Sequence, residues 1–212
     1  MYYDFAYYVE DFLSSGALVA NLIANAFGSL WGVALYVLTA MGLYTIAKRR
    51  AINKAWLAWV PVVNCWLVGC ISDQYRYVVK GQVKSKRKSL LILTIIQMAL
   101  ILAFIGAMTV TIVSGANTAM AVTGYSRVLE SILVPAIVTL GLLLPLAGVA
   151  IAKAVIYYMA MYDLYTSCSP ENNVLFLVMS IIFRVTEPFF IFFNRNNDKG
   201  MPPRKVAYYE EV

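Results

Sequence analysis

The chain has 212 residues, of which 61% are apolar and only 13% charged. That composition excludes an ordinary soluble domain, where about a quarter of the residues are charged, and fits one membrane-embedded unit. The net charge of +6 does not point to nucleic acid, because ten of the seventeen Lys and Arg cluster between Lys48 and Lys88 beside apolar runs.

Residues 1–16 read as an external, aromatic and acidic N-terminus. They are not expected to be a signal peptide, since no basic region or small-residue cleavage site is present. Five aromatics between Tyr2 and Tyr8 suit the membrane–water interface. A first transmembrane helix is predicted over 17–47, ending in KRR. No Lys or Arg precedes Lys48, so the N-terminus is expected outside and Lys48 inside. Gly16, Ala20, Ala24, Gly28 and Gly32 recur every four residues along this helix. Small residues at that spacing let a second helix approach closely, whether from the same chain or another.

The stretch 48–88 reads as a basic cytoplasmic loop. Its apolar part, 55–72, is interrupted by Pro61. A crossing here would place KRRAINK and KGQVKSKRK on opposite sides, against the basic-inside tendency. The expected solution is a broken hairpin, re-entrant or interfacial, with limbs of about eight residues on either side of PVVN. Trp56, Trp59, Val63 and Trp66 would form its aromatic face. Asn64 would satisfy backbone groups freed by the proline, or else contact a ligand. Asp73, the only acid in this loop, would pair with Arg76 or contact a partner protein. Sensing of anionic lipid headgroups through the Lys80–Lys88 charges is a further reading.

A second transmembrane helix is predicted over 89–113, with Ala99, Ala103 and Ala107 as a second small-residue stripe and Gln97 as an interhelical hydrogen-bonding residue. An external loop, 114–130, leads to a third transmembrane helix over 131–157. Pro135 would sit in its first turn, Pro145 would kink it, and Lys153 would snorkel to the interface. SPEN then reads as a helix start with Ser169 as N-cap and Pro170 at the first helical position. The apolar segment 174–193 is a second broken hairpin or a fourth span, and 194–212 is a cytoplasmic tail. Arg184 and Glu187, three apart, would form an ion pair in this segment. They are a structural pair or a functional site, ionisable groups at lipid depth being candidates by default.

GLYT at Gly42–Thr45 and DLYT at Asp163–Thr166 each close a long helix, and each precedes a proline-interrupted apolar segment. Duplication and chance both remain open. The fold class is therefore an all-α integral membrane protein with three transmembrane helices and two proline-broken hairpins.

No catalytic arrangement can be assembled: there is no histidine to serve a nucleophile, and no HExxH, GxSxG or P-loop. Cys65, Cys70 and Cys168 form no CxxC pair and read as free thiols, so no metal and no cofactor are expected. The segments IAKRRAINKAWLAWVPVVNCWLVGCISDQYRYVVKG and FFNRNNDKGMPPRK resemble parts of small integral membrane proteins of Gram-positive, largely clostridial bacteria. The resemblance implies a bacterial plasma membrane location and brings no activity or ligand. The sequence best fits a non-enzymatic scaffold or accessory subunit with membrane lipids and a protein partner or second copy around it. The alternatives are a transporter or channel component using the broken hairpins, or an anionic-lipid binder.

Overall fold

The computed structural model describes residues 2–83, 85–120 and 125–202, with side chains for 16, 18–83, 85–114 and 133–202; all regular elements among them are helical. Helix α1 spans Tyr2–Arg49 and is followed by a 3₁₀ helix, Ala55–Trp59, and α2, Asn64–Lys80. Then come α3 (Lys86–Met120), α4 (Tyr125–Cys168), α5 (Asn173–Ile182), α6 (Thr186–Phe193) and a 3₁₀ turn, Asn194–Asn196. The stretches Leu18–Arg49, Lys86–Ser114 and Leu133–Cys168 are long and apolar enough to cross a membrane. At 1.5 Å per residue even the shortest reaches about 43 Å, beyond a hydrocarbon core of roughly 30 Å.

Close packing is concentrated at one end. Leu43 and Ile46 of α1, Leu67 and Ile71 of α2, Leu90 of α3, Leu164 and Tyr165 of α4 and Ile191 of α6 make one buried cluster. Away from it, α3 and α4 remain side by side, with the Thr111 and Thr139 hydroxyls 3.4 Å apart. Every side chain described between Leu18 and Ala34 of α1 is exposed, as are most outward Leu, Ile and Val of α3 and α4. Continuous apolar exposure on this scale suits a lipid solvent rather than water.

The ends of the helices explain how the chain turns. Ala51 (φ 51°) follows α1, with Ile52 N–H donating to Ala47 O and Ala51 N–H to Lys48 O. This is a Schellman ending with alanine where glycine is usual. Gly81 (φ 62°) ends α2 in the same left-handed conformation at no steric cost.

Several boundaries differ from the sequence expectations. α3 and α4 extend to Met120 and from Tyr125, leaving little of the 114–130 loop. Pro135 is consequently a helix-interior residue rather than a first-turn one. The second limb of the first broken segment is α2, seventeen residues rather than about eight. The Trp56, Trp59, Val63, Trp66 face is divided between the 3₁₀ helix and α2, and Trp66 packs against the core. Ser169 is not an N-cap: its N–H donates to Tyr165 O, finishing α4, and α5 begins only at Asn173. Segment 174–193 is two helices of 10 and 8 residues, not one continuous fourth span. The N-terminal aromatic and acidic side chains, those of the 115–132 region, Lys84 and the tail beyond Pro202 lie outside the described side chains.

Gly69 and Gly42 set the helix spacing. A Cβ on Gly69 would stand 2.7 Å from Arg87 Cα, and one on Gly42 would stand 2.7 Å from Ile191 Cγ2 and 3.1 Å from Ile191 C. Gly69→Ala should therefore push α2 from the backbone of α3 and cost about 1–3 kcal/mol. Gly28→Ala, with nothing within 4 Å of the new methyl, should leave stability unchanged or slightly raised. Chemical denaturation in mild detergent distinguishes the two; equal effects would mean that α2 and α3 are not held at this distance.

Candidate functional site

A buried carboxylate locks the packed end. Ser72 and Arg76, four apart, lie on one face of α2. Ser72 Oγ and Arg76 Nε each donate to Asp163 Oδ2 of α4 at 2.6 Å. Lys86 Nζ, from the first turn of α3, donates to the same oxygen at 2.8 Å and to Met159 O at 3.1 Å. The Asp163 side chain has no exposed surface, and Lys86 retains 10%. Burying a charge is costly unless it is paired and hydrogen-bonded, and here one carboxylate gathers two cations and a hydroxyl from two other helices.

Asp73 completes the arrangement. Its Oδ1 accepts the Lys86 N–H at 2.8 Å and its Oδ2 the Arg87 N–H at 3.2 Å. A residue of α2 thus caps the start of α3. KRK is poorly placed at a helix N-terminus, where the macrodipole is positive, and these two acids offset it. The expected Asp73–Arg76 pair does not form, because Arg76 turns to Asp163 and Asp73 to the unsatisfied amides of α3.

The polar side chains predicted at lipid depth converge nearby. A cavity of about 660 Å³ is bounded by Pro61, Asn64 and Cys65 at the start of α2, Gln97 of α3, Lys153 and Tyr157 of α4, and Arg184 and Glu187 around the start of α6. Thr39 of α1 also reaches it. Thr39, Gln97 and Lys153 lie ten or eleven residues from Arg49, Lys86 and Asp163 respectively. The cavity is therefore about 15 Å along each long helix from the ion-rich end.

Its wall contains both signs of charge. Lys153 Nζ donates to Gln97 Oε1 at 3.0 Å. The Tyr157 hydroxyl donates to Glu187 Oε1. Gln97 thus finds its partner on a neighbouring helix, the interhelical role anticipated from sequence. Lys153 does not snorkel outward; its ammonium turns into the protein, where an amide accepts it. Arg184 and Glu187 share the cavity but no salt bridge joins them among the described residues, since Tyr157 engages the carboxylate instead. Asn64 lines the cavity, while the backbone around Pro61 closes its own bonds, Val63 and Asn64 N–H both donating to Val60 O. Satisfying freed backbone groups is therefore not the role of the Asn64 side chain.

The small-residue stripes behave differently from the polar residues. Gly16, Ala20, Ala24, Gly28 and Gly32 are all exposed, and among the described residues no atom lies within 4 Å of where a Cβ would stand on the three glycines. Ala99 and Ala103 are exposed on α3, while Ala107 is half-buried. Neither Asp163 nor Lys153 was selected from sequence as a site residue. They are the only carboxylate and the only Lys or Arg between Leu133 and Cys168, which was the available signal.

Among the described residues, no group of three or more Cys, Asp or Glu is placed to hold a metal ion. The cavity offers ammonium and guanidinium donors, a carboxylate and two amides, a set suited to holding a polar or charged group. No protein-family profile, curated protein or solved structure matches this chain.

Asp163→Asn should destabilise the protein by about 3 kcal/mol, because Arg76 and Lys86 would keep their burial and lose their charge partner. Ser72→Ala, which removes one donor of three, should cost about 1 kcal/mol. Denaturation midpoints in mild detergent report both, and an Asp163→Asn loss no larger than that of Ser72→Ala would contradict the hub.

Proposed function

We propose that this is a multi-pass protein of a bacterial plasma membrane that binds a small polar or charged ligand, as the binding component of a transport or channel assembly, rather than an enzyme. In this reading α1, α3 and α4 cross the bilayer, the N-terminus is outside, and the 48–88 segment faces the cytoplasm. The two broken segments enter from that side and return. The tail belongs with them, since Asp198 pairs with Arg49 and Arg50 at 2.8 and 2.9 Å.

One observation carries the proposal: Asn64, Gln97, Lys153, Arg184 and Glu187, drawn from four helices and the turn before α6, border one cavity about 15 Å from the basic ends. Half the thickness of a hydrocarbon core is about the same distance. Ionisable groups are costly there and are retained where they line a water-filled path or ligand site. Broken helices supply the polar wall at such sites in transporters.

Cysteine labelling tests it directly. Cys65 lines the cavity, whereas Cys70 and Cys168 are buried in the packed end. Burial raises the Cys65 thiol, opposed by the nearby Lys153 charge, and burial pushes Cys70 up to about 11. Since the thiolate reacts, Cys65 labelling by a charged thiosulfonate should accelerate from about pH 7 to about pH 9. Cys70 and Cys168 should remain unlabelled throughout. A Cys65 as inert as Cys70 across this range would oppose a water-accessible cavity.

A scaffold reading has its own support in α1, where Gly16, Gly28 and Gly32 meet nothing among the described residues and the whole stripe is exposed. A second copy or a partner helix would fill that face by close packing of small residues. Size-exclusion chromatography with light scattering should show an assembly larger than a monomer for the natural chain and its loss in Gly28→Leu. Monomers in both cases would remove this reading and leave the cavity untouched.

A further inference from the structure

The polar cavity adjoins a second recess of opposite character. A groove of about 540 Å³ runs along α4 past Ile151, Val155 and Met159, with Leu177 of α5 on its side and Arg76 and Tyr162 at its ion-rich end. Ile151, Ala154 and Tyr158 border both spaces. From Ile151 to Tyr162 the groove follows about 16 Å of helix. Apart from Arg76 and the two tyrosines, its lining is apolar.

We infer that the ligand is an anionic amphiphile: its acidic head sits in the cavity against Lys153 and Arg184, and its hydrocarbon chain lies in the α4 groove. The inference rests on the ligand-binding reading above and specifies its substrate class. Charge selects the head. Lys153 and Arg184 face a single carboxylate, Glu187, which already accepts from Tyr157. Lys153 gives one hydrogen bond to Gln97 and has two more N–H groups to offer. Arg184 donates no hydrogen bond to the described residues, leaving its planar fork for a carboxylate or phosphate. Adjacency selects the tail, since only the Ile151, Ala154 and Tyr158 ridge of α4 lies between the two spaces. A small hydrophilic solute would fill the cavity and leave the apolar groove beside it to unrelated lipid. A chain joined to the head occupies both spaces at once.

The test uses the full-length protein in phosphatidylcholine nanodiscs and follows Cys65 alkylation by a charged thiosulfonate, with Cys70 and Cys168 as internal reporters of folding. Dodecanoate and dodecyl phosphate should each slow Cys65 labelling at least fivefold; the better of the two tells a carboxylate head from a phosphate one. Dodecyltrimethylammonium and inorganic phosphate should leave the rate unchanged. The protection should vanish in Lys153→Gln/Arg184→Gln, survive in Lys153→Arg, and vanish in Val155→Trp, which fills the groove alone. Protection by inorganic phosphate equal to that by dodecyl phosphate, equal protection by the cationic amphiphile, or full protection in Val155→Trp would each overturn the amphiphile while leaving a polar-ligand cavity standing. A Cys65 that never reacts would overturn the cavity reading itself.

Discussion

The carboxylate of Asp163 is the constraint on which the rest of this fold depends. It lies on a helix whose nearest other charged residue, Lys153, is ten positions away, and it is fully buried. A lone ionised carboxylate in that position would be untenable. The chain therefore has to bring cations to it, and it brings them from two places at once: Arg76 from within α2 and Lys86 from the opening turn of α3. Once those contacts form, the order of α2, α3 and α4 at this end is fixed. Gly69 then permits α2 and α3 to approach at backbone distance, and Asp73 can reach the first amides of α3. Hydrophobic burial fills the spaces between, but it does not choose the register in the way a charged triad does.

The ion-rich end also determines what the more distant residues can do. The helices that leave it are long, and α3 and α4 remain paired, so side chains ten or eleven residues further along stay near one another. Gln97 and Lys153 meet for this reason. The broken segments meet them because neither α5 nor α6 is long enough to leave: at 10 and 8 residues they extend only about 15 and 12 Å. Their breaks are satisfied locally. Thr186 Oγ1 donates to Phe183 O and Met179 O, and Thr186 N–H to Phe183 O. Irregular backbone in an apolar setting requires such closure. Polar side chains at the breaks are thereby released from structural duty and remain available to the cavity.

Much of this was legible in the sequence, and the reasons differ by residue. The helical class and the three long apolar helices follow from composition and run length, which no tertiary contact can reverse. The interruptions at Pro61 and near Arg184–Pro188 follow from the missing N–H of proline and from charge among apolar residues. Asn64, Arg184 and Glu187 were selected on those grounds, and they share one cavity. What sequence could not supply was pairing. Arg76 is three residues from Asp73, yet it prefers an acid 87 positions away because that acid is buried and Asp73 has a helix terminus to cap. Arg184 and Glu187 were natural partners by spacing until Tyr157 arrived from another helix. The ending of α1 was hidden too, because Ala51 adopts a left-handed conformation that only glycine would have advertised.

The two LYT sequences acquire a geometric counterpart in the fold. Near their C-terminal ends α1 and α4 each carry a threonine whose hydroxyl donates four residues back, Thr45 to Met41 O and Thr166 to Tyr162 O. Each is followed by a short helix, a break and a second helix: the 3₁₀ helix and α2 in one half, α5 and α6 in the other. The packing crosses between halves. Gly42 of α1 lies against Ile191 of α6, and Asp163 of α4, at the same place relative to LYT, binds Ser72 and Arg76 of α2. Both breaks, Pro61–Asn64 and Arg184–Pro188, then open onto the one cavity. Matching interruptions that face a common space are where repeated membrane folds place their binding sites. The cavity is thus bordered by a helix break from each half of the chain.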